Sequence, residues 1–275
     1  MKSITCKGKL ISLETAKIMG ILNLTPDSFY DGGLYRDEPA ILKQTERMLN
    51  EGATFIDLGA YSSRPGAATI DQETELQRLL PILQMLLKEF PEALFSIDTF
   101  RSHVAAEALE IGAAMINDIS AGKLDDNMIP TIAKFQVPYV MMHMRGTPQT
   151  MSSLTAYDNL IKDIIYYFSE RIAVARSKNI NDLLLDPGFG FAKTISQNFE
   201  LLNKLELFNT FDLPILAGLS RKSSIYKTLH IEPEEALNGT TVLNTIALTR
   251  GASILRVHDV KQAAEAIKLV EALGD

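Results

Sequence analysis

The chain has one cysteine, no tryptophan and no excess of positive charge. Cys6 alone can form neither an internal disulfide nor a structural zinc site, which suits a reducing compartment, and its isolated position argues against a nucleophilic role. Lys+Arg number 27 against 34 Asp+Glu, a net charge of -7, so no clustered cationic face is expected for nucleic acid or an anionic membrane. Any anion must therefore be held locally. No run of about 18 apolar residues is present. Near the start, the apolar residues are broken by Gly8, Ser12 and Glu14, unlike the core of a signal peptide. These absences predict a cytoplasmic protein with neither membrane nor nucleic-acid partners. Also missing is any Pro/Ser/Gly-rich tract or charge block, so residues 1–275 read as one domain.

What is present is a repeated unit: a short apolar segment that ends in polar residues, then a helical stretch. Strands are expected at 18–24, 54–58, 94–97, 115–118, 139–143, 183–186, 215–217 and 254–257, and their continuous apolarity suits burial on both faces. The segments run into Asn23, Asp57, Asp98, Asn117-Asp118, His143, Asp186, Gly218-Leu-Ser-Arg-Lys222 and Arg256-Val-His258. Helices are expected at about 39–51, 72–89, 101–111, 126–135, 156–178, 196–205, 233–250 and 259–272, with Gly52, Gly112 and Gly251 as stops before the next strand. Residues 1–17 read as a hairpin turning at Lys7-Gly8-Lys9, of the kind that plugs a barrel's bottom. Eight comparable units with polar strand ends predict a (β/α)8 TIM barrel rather than an open doubly wound sheet.

Two groups of polar residues carry the chemistry. Asp98, Asn117 and Asp186 end three strands and Lys222 follows a fourth, so a closed barrel brings them toward its axis. Two carboxylates, a carboxamide and an ammonium can read the N–H-rich edge of a flat heterocycle; a buried salt-bridge network is the plain structural alternative. The second group, Asn23, Arg64, Arg256 and His258, offers a neutral oxygen and three donors to an anion. Asn23 could also ligate Mg2+, a hard cation that takes few protein oxygens. Gly188 and Gly190 lack the spacing of a dinucleotide fingerprint and are expected to let backbone approach a ligand, with Phe189 and Phe191 near enough to cover an aromatic ring. His143 at the fifth strand end is ambiguous.

Seven segments in order make the chain similar to a known family: Gly20 to Phe29, Ser62 to Ala67, Ser96 to Thr99, Ile116 to Ile119, Leu185 to Lys193, Gly218 to Ser223 and Arg256 to Val260. Together they resemble the dihydropteroate synthases, over about Ile18 to Val260. The resemblance implies condensation of (7,8-dihydropterin-6-yl)methyl diphosphate with 4-aminobenzoate, with Mg2+ and a homodimer packed through late helices. It implies that Asp98, Asn117, Asp186 and Lys222 bind pterin, and that Asn23, Arg64, Arg256 and His258 handle diphosphate, Asn23 with the metal. Ser63, Pro65, Phe191, Ser220 and Lys222 fall to 4-aminobenzoate, and Asp98, Lys222 and Asn23 to catalysis. Tyr61 and Tyr30 depart from the pattern, standing where the family commonly has glutamate and serine. Two alternatives are weighed: a methyltetrahydrofolate-binding methyltransferase, which needs no diphosphate site, and a catalytically silent pterin carrier, which would tolerate loss of the anion set. The intact Arg256-Val-His258 speaks against both.

Overall fold

The computed structural model describes residues 2–24, 38–61 and 70–274. An antiparallel hairpin, β1 (Ser3–Cys6) and β2 (Lys9–Ser12), precedes eight parallel strands: β3 (Lys17–Asn23), β4 (Phe55–Gly59), β5 (Leu94–Asp98), β6 (Met115–Asp118), β7 (Tyr139–Met142), β8 (Leu183–Asp186), β9 (Leu216–Ala217) and β10 (Ile254–Val257). Their order is β8-β7-β6-β5-β4-β3-β10-β9. A bridge between Leu185 and Ile215, with the Leu185 amide donating to the Pro214 carbonyl at 2.9 Å, joins the two ends and closes the barrel.

Period-two alternation decides what fills the barrel. Met19, Phe55, Leu94, Met115, Val140, Leu184, Leu216 and Ile254 form an apolar floor, and the hairpin seals it from below with Ile4, Cys6 and Leu13. Burial, helped by Asp182, pushes the Cys6 thiol up to about 12, so it is a packing group. Two residues further along alternate strands, the same face carries Asp57, Asn117, Asp186 and Arg256. Four side chains from alternate strands make one barrel layer, and here that layer is polar.

Outside the strands lie α1 (Glu38–Asn50), α2 (Gln72–Glu89), α3 (Ser102–Glu110), α4 (Met128–Phe135), α5 (Leu160–Ser177), α6 (Ile195–Asn203), α7 (Ser223–Leu229), α8 (Leu237–Thr249) and α9 (Val260–Ala272). They pack Leu79, Leu83, Val104, Ile132, Ile164 and Phe168 against the outward strand faces. Gly52, Gly112 and Gly251 take φ of 106°, 115° and 92°, the left-handed turn expected at a helix stop. One expectation fails. Where a single helix is expected over about 233–250, the structure has α7 already at Ser223–Leu229, a 3-10 turn at Pro233–Glu235 and then α8 from Leu237.

Candidate active site

The polar layer is wired through Asp57. Its Oδ2 accepts from Arg256 Nε at 2.6 Å and from Asn117 Nδ2 at 2.9 Å, while Arg256 Nη2 donates to Asp98 Oδ2 at 2.7 Å. Two carboxylates therefore share one guanidinium. Burial pushes Asp98 up to about 7, against the pull of Arg256 and with the added push of Asp57. For Arg256, burial works against the charge, but the attraction of Asp57 and Asp98 outweighs it and holds the pKa above its ordinary value. Asp186 completes the layer. Burial raises its pKa, opposed by the Gly188 amide, which donates to Oδ1 at 2.8 Å, and by the charges of Lys222 and Arg256.

Above the layer, the strand ends supply a rim. Gly59 lies between two functional side chains: a Cβ there would sit in ordinary van der Waals contact with both, 3.7 Å from Asp98 Oδ2 and 3.9 Å from Asn23 Oδ1. On the opposite side, Lys222 Nζ lies 4.4 Å from the centre of the Phe191 ring, and a Cβ at Gly190 would approach Lys222 Cδ to 3.2 Å. Ser220 Oγ lies 3.0 Å from His258 Nδ1 and accepts from the His258 amide at 3.2 Å. The next residue of each segment repeats the link, because Arg221 makes a two-pronged pair with Asp259, Nε to Oδ2 and Nη2 to Oδ1, both at 2.9 Å.

Asp98, Asn117, Asp186, Lys222, Arg256, Phe191, Ser220, His258 and Asn23 thus gather at the carboxyl ends of the strands. Ser63, Arg64, Pro65 and Tyr30 lie outside the described residues. The two polar groups read from the sequence do not stay apart, since Arg256 touches Asp98, and His258 touches Ser220 of the arylamine set. Asp57 was passed over although its position, two residues after Phe55 in Phe55–Gly59, is the alternation that turns a side chain inward. Tyr61 has a local role. Its ring packs edge-on against Phe100 at 5.3 Å, Arg101 lies 5.3 Å above it, and Gln149 donates to its hydroxyl at 3.1 Å.

Comparison with known proteins sharpens this geometry. The profile of the family described as pterin binding enzymes matches residues 19–258, from the floor of β3 to the rim of β10. The dihydropteroate synthase of Escherichia coli K12 is 42% identical over 268 residues, 97% of this chain and 94% of that protein. The chain belongs to the dihydropteroate synthase family. A solved dihydropteroate synthase from Yersinia pestis in complex with a sulfonamide drug superposes with a TM-score of 0.92 at 40% identity, over 98% of each chain. The enzyme of Xanthomonas albilineans, solved with 4-aminobenzoic acid, gives 0.91 at 36% identity, over 98% of this chain and 97% of that one. Membership of the dihydropteroate synthase family decides against the methyltransferase and silent-carrier alternatives.

Proposed function

We propose that this chain joins (7,8-dihydropterin-6-yl)methyl diphosphate to 4-aminobenzoate, giving 7,8-dihydropteroate and diphosphate on the route to folate. The observation that carries this reading is the polar barrel layer of Asp57, Asn117, Asp186 and Arg256 beneath a rim of Lys222, Asp98 and Asn23. In the reaction, the methylene C–O bond to diphosphate breaks, a C–N bond to the arylamine forms, and the amine gives up one proton. Asn117 and Asp186 take the amino and ring N–H edge of the pterin, and Lys222 donates to its carbonyl or ring nitrogen. Asp98, once ionised, faces the positive charge that spreads over the ring as diphosphate departs. Arg256 uses one N–H on Asp57 and one on Asp98. Three of its five donors remain for the leaving group, with His258 beside it and Arg64 from its own loop. Phe191, Ser220, Ser63 and Pro65 make the arylamine's side.

The reading includes Mg2+, which supplies positive charge to the departing diphosphate when bound. Asn23 fits it as an oxygen donor: the residue is half-buried at the end of β3, and its side chain, like that of Asp98, borders Gly59. Mg2+ keeps most of its waters and takes few protein oxygens, so one carboxamide at the strand end is a sufficient protein ligand. We also infer a single pterin-binding domain, working in the cytoplasm as a homodimer. No described helix is long and apolar enough to cross a membrane. Leu229 of α7 lies against Gly239 of α8, and Val242 and Ile246 follow at helical spacing. All three apolar side chains are exposed, at 51%, 50% and 37%, as a stripe that a second copy would cover.

Incubating the protein with Mg2+, dihydropterin diphosphate and 4-aminobenzoate, then detecting dihydropteroate by mass spectrometry, tests the reaction. Formation of the pterin alcohol alone would count against it. Light scattering of the wild type and Val242→Glu tests the dimer.

A further inference from the structure

The loop between β8 and α6 is held by a buried ammonium that the mechanism above leaves unused. Lys193 is only 9% exposed. Its Nζ lies 3.1 Å from His143 Nδ1, and donates to the carbonyls of Gly188 at 2.9 Å and Phe191 at 3.1 Å. Three acceptors meet three N–H bonds. For Nδ1 to accept, the ring proton must sit on Nε2. Burial, followed by the charges of Lys193, Arg145 and Lys123, keeps His143 well below its ordinary pKa and so neutral. Among the described residues Lys193 makes no ion pair, and burial pushes it down to about 7 against the attraction of Asp186.

The backbone that this ammonium grips is the backbone that shapes the site. Gly188 sends its amide to Asp186 and sits so close to β7's end that a Cβ there would lie 2.0 Å from the His143 carbonyl oxygen. Phe191 presents its ring to Lys222. Elsewhere the loop is tied down from outside: Asn198 Oδ1 accepts from the Gly190 amide at 2.6 Å, and Tyr157 donates to the Ala192 carbonyl at 2.9 Å. Lys193 alone among these anchors clamps two carbonyls of the loop to each other and to the adjacent strand end. Replacing the amine with an apolar group would take away the donor to His143 Nδ1 and to the Phe191 carbonyl, and would leave the Gly188 carbonyl only the Phe191 amide at 3.2 Å.

We propose that Lys193 is a positioning residue for the arylamine substrate: by clamping the Gly188 and Phe191 carbonyls against His143, it fixes the Phe191 ring at Lys222 and so sets the wall on which 4-aminobenzoate packs. This rests on the condensation proposed above. A residue that merely supports the fold would lower the melting temperature and the active fraction, whereas one that acts through Phe191 shifts arylamine KM and loses its effect when the ring is gone.

The test is a double-mutant cycle of Lys193→Met and Phe191→Ala, with KM for 4-aminobenzoate and kcat measured at saturating dihydropterin diphosphate. Lys193→Met is expected to raise that KM about tenfold with kcat within about threefold of wild type. In the Phe191→Ala background the same change should add less than about twofold. An equal factor in both backgrounds, or a fall in kcat at unchanged KM, overturns the proposal. Should Lys193→Met fail to fold, Lys193→Gln, which retains two N–H donors, carries the same cycle. A wild type that makes no dihydropteroate sinks the condensation and this role together; an active wild type with additive variants sinks this role alone.

Discussion

Arg256 and Asp57 meet inside the barrel at 2.6 Å, from strands 199 residues apart in sequence, and the carboxylate oxygen that holds the guanidinium also accepts from Asn117. One oxygen therefore orients two residues given to different substrates' parts. The other oxygen of Asp57 is buried and has no hydrogen-bond partner among the described residues. Such a group is expensive to keep and strongly specifying when kept.

Asp57→Ala should cost about 3–5 kcal/mol in urea unfolding, as expected when one member of a buried charge pair is removed and the other is left uncompensated. Asp57→Asn, which can still accept from Arg256, should lose less. Equal losses in the two variants would mean that charge, not hydrogen-bond geometry, is what Asp57 contributes.

The pH dependence follows from Asp98. Its proton is held more tightly in the folded chain, so its contribution to stability is complete below the ordinary value of 3.8 and is lost as pH rises toward about 7. Pterin binding should run the opposite way. If the ionised carboxylate is the binding form, affinity falls about tenfold for each pH unit below Asp98's pKa and levels off above it. Calorimetric titration of a pterin lacking the diphosphate, between about pH 5.5 and 8.5, reads this directly; a flat profile, or one unchanged in Asp98→Asn, contradicts it.

Gly188→Ala should be far more damaging than its size suggests. At φ +74° a side chain costs about 1–3 kcal/mol in strain alone, and the added Cβ would stand 2.0 Å from a backbone oxygen. A lowered melting temperature and loss of pterin binding through Asp186 are expected. By contrast, Ala192→Gly, at φ 49° in the same loop, should leave stability within about 1 kcal/mol of wild type.

Sulfonamides should compete with 4-aminobenzoate, since both present a para-substituted aniline with an acidic group that Ser220 can meet. Their presence should raise the apparent KM and leave kcat unchanged. Phe191→Ala should weaken both ligands by a similar factor, because both rings would lie on the same wall. Inhibition that excess 4-aminobenzoate fails to relieve assigns the drug elsewhere.

The eight strands, their polar ends and most helices were legible because local rules set them. Continuous apolarity marks strands covered on both faces, and a left-handed glycine marks the stops of α1, α3 and α8. The family was legible for a related reason: motifs such as Leu185 to Lys193 are contiguous, and their order survives in one dimension. Three features needed the closed barrel. α7 is too short for periodicity to announce, and residues 223–232 carry no helix expectation. Arg256 reads as an anion donor, and its pairing with Asp57 and Asp98 shows only once closure of the sheet turns β10, β4 and β5 toward one barrel interior. Lys193 ended a recognised motif without a role until folding set its ammonium between His143 and two loop carbonyls. Sequence fixes which side of a strand a residue faces, since alternation is local; which side chains then meet across the barrel depends on closure, stagger and the path of the loops, and only the tertiary structure decides those.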